Sequence, residues 1–320
     1  MKLVLSLVFL AALPLVGQVK ITRGENKVSV DIDGMPFTEF FYGPDVMKPY
    51  LYPLRAPDGT NVTRHVPFDK EAGDSTDHPH HTGLWFAHSS VNGYDFWNNY
   101  KGYTTPNRGS IVVKKIDKIV SGKKEGYIDA TMEWLDPEGK AIMTENRHMT
   151  FYSGTPNRQF DLDIKLTPII QIKFGDAKDG VLGIRLAAGL EEPQKKAPAT
   201  PVRSGLMVNA EGCKLEEECW GKRSNWLDYF GKTEGKEEGI AVLDNPENPR
   251  HPTYWHTRAY GLLGANIFGV HDFTKDKMAD GSMTLAPGES IRFRYRFIIH
   301  EGDTKSANIA GEWAKYASGK

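Results

Sequence analysis

Apolar and polar residues alternate along most of this chain, and this alternation restricts its fold more than any other feature. Val28, Val30 and Ile32 would share one side of an extended segment, and Asp33-Gly34 then gives a hairpin turn. Side chains on a β-strand point alternately to its two faces, so each such segment can bury one face and expose the other. Turn-bounded segments of this kind recur at residues 36–41, 111–120, 127–135, 141–152, 160–166, 181–188, 239–243, 254–262, 281–285 and 291–300.

A convincing helical period appears at the C-terminus, where Ile309, Trp313 and Tyr316 are spaced i, i+4 and i+7. Strand signals occupy the chain before it, without a repeat or a linker. We therefore predict an all-β protein, built as one large antiparallel β-sandwich that ends in a short helix. Two long loop-rich stretches, residues 44–109 and 189–236, interrupt the strands. Loops of this size in a compact domain are usually functional.

The N-terminus predicts export. Met1-Lys2 is positively charged, the residues up to 16 are apolar apart from Ser6, and Gly17 is a small residue before a plausible cleavage site. This is the pattern of a secretory signal peptide, which we assign to residues 1–17. We therefore expect a protein of the periplasm or cell envelope, with a single domain over residues 18–320.

The remaining sequence gives no indication of a membrane or nucleic-acid partner. Charged residues or glycines interrupt every later apolar stretch, so we expect no membrane span in the mature chain. The formal net charge is −1, with no long run of one sign that would form a basic face. On one straight strand, Cys213 and Cys219 would lie ~20 Å apart, beyond disulfide reach, so we favour two free thiols unless residues 214–218 turn sharply.

The densest group of reactive side chains is the segment Asp77–His88, where four of the ten histidines fall within eleven residues. Imidazole titrates near neutral pH and serves as acid, base or metal ligand. Pro79 favours an extended conformation before it, which would place His78 and His80 on one side and His81 on the other. A lone histidine here would more often hydrogen-bond backbone, but the cluster beside Asp77 predicts a catalytic site. Its proposed members are Asp77, His78, His80 and His81.

Metal binding is an alternative for this segment. His78 and His80, as a His-x-His pair on one strand face, would supply two ligands for a divalent metal. A third would have to come from His148, His256 or a carboxylate. No cofactor is required by the sequence, and we assign no metal ligand.

Two further segments offer partners for the histidines. The turn at residues 174–180 carries Asp179, which we choose as the catalytic carboxylate, and it precedes a strand with Arg185. An ordinary Asp-Gly turn is the alternative reading. In the second segment, His256, Arg258 and Tyr260 would share one face of a strand, either in a ligand groove or on a solvent-exposed sheet.

Aromatic rings beside charged side chains favour a sugar as ligand, because a sugar presents apolar C–H faces and a rim of hydroxyls. Such rings lie in both long loop regions, although several of the seven tryptophans must fill the core. The residues that we predict to bind substrate are Arg64, Trp85, His88, Arg185, Trp226, His256 and Arg258.

Several longer motifs are distinctive. They occupy residues 49–54, 61–64, 77–85, 92–97, 221–226 and 251–262. Together they closely resemble a bacterial family of unknown function, domain-of-unknown-function family 6807, which is often labelled PmoA-like, after a component of particulate methane oxygenase. We regard that label as misleading, because such a component would need several membrane spans.

The resemblance implies carbohydrate chemistry, since members of the family resemble exported proteins encoded beside sugar oxidoreductases and glycan-degrading enzymes. The ending at residues 285–289 and 292–300 also resembles the last strands of galactose-mutarotase-like supersandwiches. That fold hosts epimerases, lyases and glycoside-active enzymes, so it does not decide the reaction.

The leading hypothesis is an exported carbohydrate-active enzyme that hydrolyses, eliminates or epimerises a glycoside or an oxidised sugar. A histidine of the Asp77–His81 segment and a carboxylate, Asp179 or Asp77, would be its general acid and base. A sugar-binding protein without catalysis is the second hypothesis. A metal-dependent oxygenase or hydrolase of cupin type, using the His-x-His pair, is the third.

Overall fold

The computed structural model describes residues 17–69, 71, 73–195 and 199–319. Antiparallel strands dominate it, so the predicted all-β antiparallel sandwich is confirmed. The predicted signal peptide lies outside the described residues except for Gly17.

The first sheet has eight strands, numbered here in chain order along the whole molecule. In spatial order they are β1 (Val19–Arg23), β2 (Lys27–Ile32), β3 (Met35–Phe41), β4 (Tyr50–Tyr52), β5 (Leu84–Phe86), β11 (Leu182–Arg185), β16 (Leu262–Asn266) and β15 (Tyr254–Trp255).

The second sheet also has eight strands, and a small sheet of two lies apart from it. The order in the second sheet is β12 (Leu206–Asn209), β13 (Trp226–Thr233), β14 (Lys236–Asp244), β18 (Ile291–Glu301), β9 (Arg158–Pro168), β8 (Ala141–Tyr152), β7 (Glu125–Leu135) and β6 (Ser110–Val120). The small sheet pairs β10 (Ile172–Phe174) with β17 (Met283–Leu285).

The two large sheets pack face to face through aromatic side chains. Phe86 of the first sheet lies 5.4 Å from Phe293 of the second, between ring centroids. Phe37 and Phe160 make the same kind of contact at 5.7 Å. Burying each such side chain contributes about 1.5–3 kcal/mol to the free energy of folding. The alternation read from the sequence therefore identifies the core-facing positions of both sheets.

The predicted strand at residues 254–262 is wrong, because the chain reverses inside it. β15 ends at Trp255, and β16 begins at Leu262 and pairs back against it. Between them the Gly261 N–H donates to the Arg258 carbonyl oxygen at 3.0 Å, and Gly261 has φ +80°, a conformation that glycine adopts without strain. This turn brings Arg258 and Tyr260 to the candidate site.

Helices are few and short. The predicted C-terminal helix is confirmed as α3 (Ile309–Ala317), while α1 (Leu215–Cys219) and α2 (Val270–Thr274) were not predicted. Both cysteines are free thiols, as expected. Among the described residues, no helix is long and apolar enough to cross a membrane.

Candidate functional site

A row of residues across four neighbouring strands carries the candidate site. Gly183 of β11 lies opposite Trp85 of β5 on one side and opposite Gly264 of β16 on the other. Residues directly opposite in antiparallel strands point to the same face of the sheet. The His256 N–H donates to the Gly264 carbonyl oxygen at 2.8 Å and so extends the row beyond β15. Phe86 points the opposite way, into the core, so the row lies on the outer face of the first sheet.

Glycine at position 183 makes room for the floor of the site. A Cβ atom there would lie 2.5 Å from the Trp85 ring and 2.6 Å from the Trp97 ring, closer than side chains can approach. Both indoles are buried, and the His81 ring stacks on Trp85 with centroids 5.0 Å apart. Trp85 is fully buried and supports His81 from below, and its contact with substrate stays a prediction.

Arg64 holds the histidine segment in place from behind. Its guanidinium is 1% exposed and donates to the carbonyl oxygens of Asp77, His78 and His81 at 2.7, 2.9 and 3.1 Å. A planar fork of donors suits this set of acceptors. Because the guanidinium is enclosed, Arg64 positions the histidine segment, and its contact with substrate stays a prediction.

Asp77 connects two buried arginines to an exposed histidine. Its Oδ1 atom lies 3.0 Å from Arg64 Nη1 and 2.9 Å from Arg185 Nη2, while Oδ2 lies 3.0 Å from His78 Nδ1. Burial alone would raise the pKa of Asp77, but the hydrogen bond from His78 and the charge of Arg185 outweigh it and lower the pKa. The ionised carboxylate accepts the Nδ1 proton of His78, which leaves Nε2 for a ligand.

The His78 ring lies between two parallel rings. His81 stacks on it at 4.8 Å and Tyr260 at 5.4 Å, with interplanar angles of 7° and 6°. The guanidinium of Arg185, which is fully buried, lies 4.6 Å from the Tyr260 ring. Arg185 thus also supports the site from within rather than from its surface. The His78 side chain is 42% exposed, which makes it the accessible histidine of the segment.

The predicted division of the histidines between two sides is wrong. His78 has φ +43°, and the His81 N–H donates to the His78 carbonyl oxygen at 2.9 Å, so the segment forms a turn. All three rings therefore converge, and His80 meets His81 edge to face at 4.5 Å. The preference of Pro79 for an extended neighbour is outweighed by the hydrogen bonds that Arg64 donates to the turn.

His80 is nearly enclosed, with 5% exposure. Its Nδ1 atom lies 3.4 Å from the Tyr103 hydroxyl, and Nε2 has no hydrogen-bond partner in the part of the chain that the structure describes. Burial, together with the positive charge of Lys48, lowers the pKa of His80 to about 3. Burial likewise lowers the pKa of His81 well below its usual value. Both rings are therefore neutral at pH 7.

A second histidine–carboxylate pair is formed by His256 and Asp179. His256 Nε2 lies 3.4 Å from Asp179 Oδ1, and Trp220 Nε1 donates to His256 Nδ1 at 3.1 Å. The indole N–H is only a donor, so His256 must accept at Nδ1 and carry its proton on Nε2, facing the carboxylate. Burial would raise the pKa of Asp179, but the hydrogen bond from His256 outweighs it and lowers the pKa. Asp179 is consequently ionised, and its side chain is 30% exposed.

Arg258 and Glu216 form a partly exposed rim beside Tyr260. Arg258 Nε lies 3.0 Å from Glu216 Oε1, and the Ala259 N–H donates to Glu216 Oε2 at 2.6 Å. The guanidinium of Arg258 lies 5.8 Å from the Tyr260 ring. These groups place charged and polar atoms at the edge of the site.

The sequence model of the family of unknown function DUF6807 matches residues 27–314. The chain belongs to this family. The match confirms the family that the motifs indicated, whereas the PmoA-like label gains no support from it. Among curated proteins, none matches the chain.

Solved structures similar to this DUF6807 chain include three from bacteria. A galactose mutarotase-like protein from Clostridium acetobutylicum is 10% identical, with 89% of this chain and 98% of that chain covered and a TM-score of 0.40. Galactose 1-epimerase from Lactobacillus acidophilus is 9% identical, with 89% and 98% covered and a TM-score of 0.36. A GH36 alpha-galactosidase from Geobacillus stearothermophilus is 10% identical, with 91% of this chain covered and a TM-score of 0.36. This chain spans 41% of that enzyme's length.

Two residues predicted to bind substrate lie elsewhere in the DUF6807 chain. Trp226 packs against Ile298 and Tyr316 in a separate core cluster under α3, because it begins β13 and does not lie in a loop. His88 is fully buried, and its Nε2 atom lies 2.8 Å from the Gly175 carbonyl oxygen. His88 therefore lies below the turn that carries Asp179.

In the described ranges, no three His, Cys, Asp or Glu side chains are placed to hold a metal ion. His148, named as a third ligand, lies on β8 of the second sheet and pairs with Asp129. His256, the other choice, faces Asp179 and Trp220 instead.

Several members of the site were missing from the predicted set, among them Glu216, Tyr103, Lys48 and Trp220. Tyr103 and Lys48 gave no pattern in the sequence, because each reaches the site from a loop without regular spacing. Trp220 was noticed only as one ring among several. Trp220 directly precedes the family motif at residues 221–226, and this was the available signal in the sequence. In the structure it contacts His256, which belongs to the motif at residues 251–262.

The free energy of unfolding is expected to fall as the pH drops from about 6.5 to about 4. His80 and His81 stay neutral in the folded chain, whereas the unfolded chain protonates them near pH 6.5. The unfolded state then binds more protons, so stability is lost on acidification, by up to about 1.4 kcal/mol per pH unit for each histidine. Denaturant titrations at several pH values test this, with His80→Gln as comparison. An equal slope in both proteins would contradict the role of His80.

Proposed function

We propose that this chain is an exported carbohydrate-active enzyme that uses general acid–base chemistry on a glycoside or an oxidised sugar. The observation that supports it most is the presence of two His–carboxylate pairs, Asp77–His78 and Asp179–His256, in one site. The His78 ring stacks on Tyr260 at 5.4 Å, and His256 extends the row of Trp85, Gly183 and Gly264 on which the His81 ring stacks. An acid and a base within reach of one substrate distinguish a catalytic site from a binding site.

The exposed member differs between the two pairs: it is the carboxylate in one and the histidine in the other. In the second pair the histidine is buried and holds an exposed, ionised Asp179, which suits the carboxylate to act as general base. In the first pair Asp77 is anchored by two arginines and orients an exposed His78. In the imidazolium form of His78, Nδ1–H donates to Asp77 and Nε2–H is the proton given to the substrate, which leaves the ring neutral.

The proposed reaction moves two protons. Asp179 takes a proton from a sugar hydroxyl, a carbon beside a carbonyl, or an attacking water. His78 delivers a proton to the ring oxygen or to the oxygen of the leaving group. Hydrolysis, elimination and epimerisation all need this pair of transfers, and general acid–base catalysis by one group contributes about 10²–10⁴-fold in rate.

Recognition of a sugar is supported by the groups around the pair. Tyr260 and Trp220 supply aromatic faces for apolar C–H groups, and the rim formed by Arg258 and Glu216 supplies donors and acceptors for hydroxyls. The site therefore combines the ring and the polar rim that suit a carbohydrate. We also propose a location outside the cytoplasm, on the basis of the predicted signal peptide.

Turnover of a panel of glycosides and 3-keto-glycosides, followed by NMR, tests the proposal. His78→Gln is expected to lower turnover by about 10²–10⁴-fold, because it removes the proton donor. His148→Gln is the matched control, since His148 is also paired with an aspartate and 45% exposed, but lies on the second sheet. Unchanged turnover in His78→Gln would refute the role of His78.

The alternatives lead to different results in the same assays. Tight binding of a sugar without turnover by the wild-type protein would favour the sugar-binding hypothesis. Stoichiometric metal in elemental analysis of the purified protein, with turnover lost on chelation, would favour the metal-dependent hypothesis.

A further inference from the structure

Lys48 is a buried cation without a carboxylate partner. Its side chain is 3% exposed, and Nζ donates to the carbonyl oxygens of Trp97 and Asn99, each at 3.0 Å. Within the described ranges, no carboxylate oxygen lies within 4.0 Å of Nζ. A buried ammonium is usually paired, because removing its charge from water is costly. One of its three N–H groups has no acceptor in the described structure.

This lysine lines a cavity of about 280 Å³, a size that suits one sugar ring. The walls are partly aromatic and partly polar. They include Tyr50, Phe68, Thr82, Asn99 and Tyr100. Asp45 and Lys101, at its edge, are mostly exposed, so the cavity opens to solvent.

Two contacts link the wall of the cavity to the histidine segment. Thr82 follows His81 directly in the chain and lines the cavity. The Tyr100 ring lies 5.8 Å from the Tyr103 ring, and the Tyr103 hydroxyl lies 3.4 Å from His80 Nδ1. A ligand that spans both places would have one part beside the histidines and another beside Lys48.

We propose that this cavity binds a negatively charged substituent of the sugar substrate, a carboxylate or a sulfate ester, through the ammonium of Lys48. The inference rests on the proposed function, which it deepens by naming the substrate class as an acidic sugar. An ammonium is a point charge and does not select between these two anions by geometry. Both are therefore included among the probes.

The binding of an anion should depend on pH in one direction. Burial lowers the pKa of Lys48 to about 7, an effect that Asp95 opposes and Arg108 strengthens, and the charge of Lys48 acts in turn on His80. Only the protonated amine attracts an anion. Affinity for an acidic sugar is thus expected to fall as the pH rises from 6 to 9, while affinity for a neutral sugar changes little.

Isothermal titration calorimetry with methyl β-glucuronide, glucose 6-sulfate and methyl β-glucoside tests the proposal on the full chain. At pH 6 and low salt, at least one charged probe is expected to bind about tenfold more tightly than the neutral one, and added salt should reduce the difference. Lys48→Met should abolish this preference. Lys114→Met, the same change on β6 of the second sheet and away from the cavity, should retain it.

Several outcomes would overturn the inference. Equal binding of charged and neutral probes by the wild-type protein would do so, as would an unchanged preference in folded Lys48→Met or in the wild-type protein at pH 9. If Lys48→Met does not fold, the pH and salt series on the wild-type protein decides. Turnover of neutral glycosides without any preference for an anion would refute this inference alone. A preference for an anion without turnover of any sugar would refute the proposed function alone.

Discussion

Asp179→Asn is expected to lower turnover by about 10²–10⁴-fold, because the amide has the shape of the carboxylate but cannot accept a proton. Asp179 is ionised and 30% exposed, and His256 holds it at 3.4 Å. The fold should survive, since the asparagine oxygen can still accept from His256 Nε2. Initial rates on the best substrate of the glycoside panel, with the unfolding midpoint measured in parallel, check both statements.

Asp163→Asn serves as the control for this change. Asp163 forms a bidentate ion pair with Arg292 on β9 and β18, in the second sheet, and contacts no residue of the site. We expect its turnover to equal that of the wild-type protein. If Asp179→Asn retained full turnover, the carboxylate would have no part in proton transfer, and the base would have to be sought at Asp77.

Arg64→Met is expected to destabilise the protein by about 2–6 kcal/mol, because two backbone carbonyl oxygens lose their donor at about 1–3 kcal/mol each. Its guanidinium is 1% exposed and satisfies the carbonyl oxygens of Asp77, His78 and His81, besides the Asp77 carboxylate. Methionine fills a similar volume but cannot donate, so the carbonyl oxygens of Asp77 and His81 lose this donor. Urea denaturation at pH 7 measures the loss.

Arg292→Met is the comparison, because Arg292 is 58% exposed and forms a surface ion pair. Such pairs contribute about 0–1 kcal/mol, so little change is expected. A loss of stability in Arg64→Met no larger than in Arg292→Met would show that the histidine turn holds its shape without Arg64.

The parts of the fold that the sequence predicted are those decided locally. The hairpin at Asp33-Gly34 and the long strands β6 to β9 alternate visibly, since one face of each is buried and the other is not. The short strands β4 and β5 were missed. All three residues of each are buried, so they show no alternation. Their pairing with each other and with β11 joins distant parts of the chain, which no local pattern reveals.

The site, like the fold, has parts that a local pattern predicts and parts that depend on contacts between distant residues. The segment Asp77–His88 was identified from its composition, and Asp179 was chosen as a carboxylate partner for the histidines. Which histidine it meets depends on the fold: Asp179 faces His256, while Asp77 takes His78. The turn at His78 was predicted wrongly, because the hydrogen bonds that fix it come from Arg64, a residue fourteen positions away.

The candidate site is built from the connections at the ends of strands, while the strands β5, β11 and β16 are themselves buried. Asp179 precedes β11, His256 follows β15, and Tyr260 precedes β16. The hydrogen bonds of the sheet join backbone atoms and do not require any particular side chain in these connections. Evolution can therefore replace the reacting groups one connection at a time while the same scaffold persists, and a directed-evolution library confined to the partly exposed residues 178, 179 and 258–260 would explore new chemistry at little cost to folding.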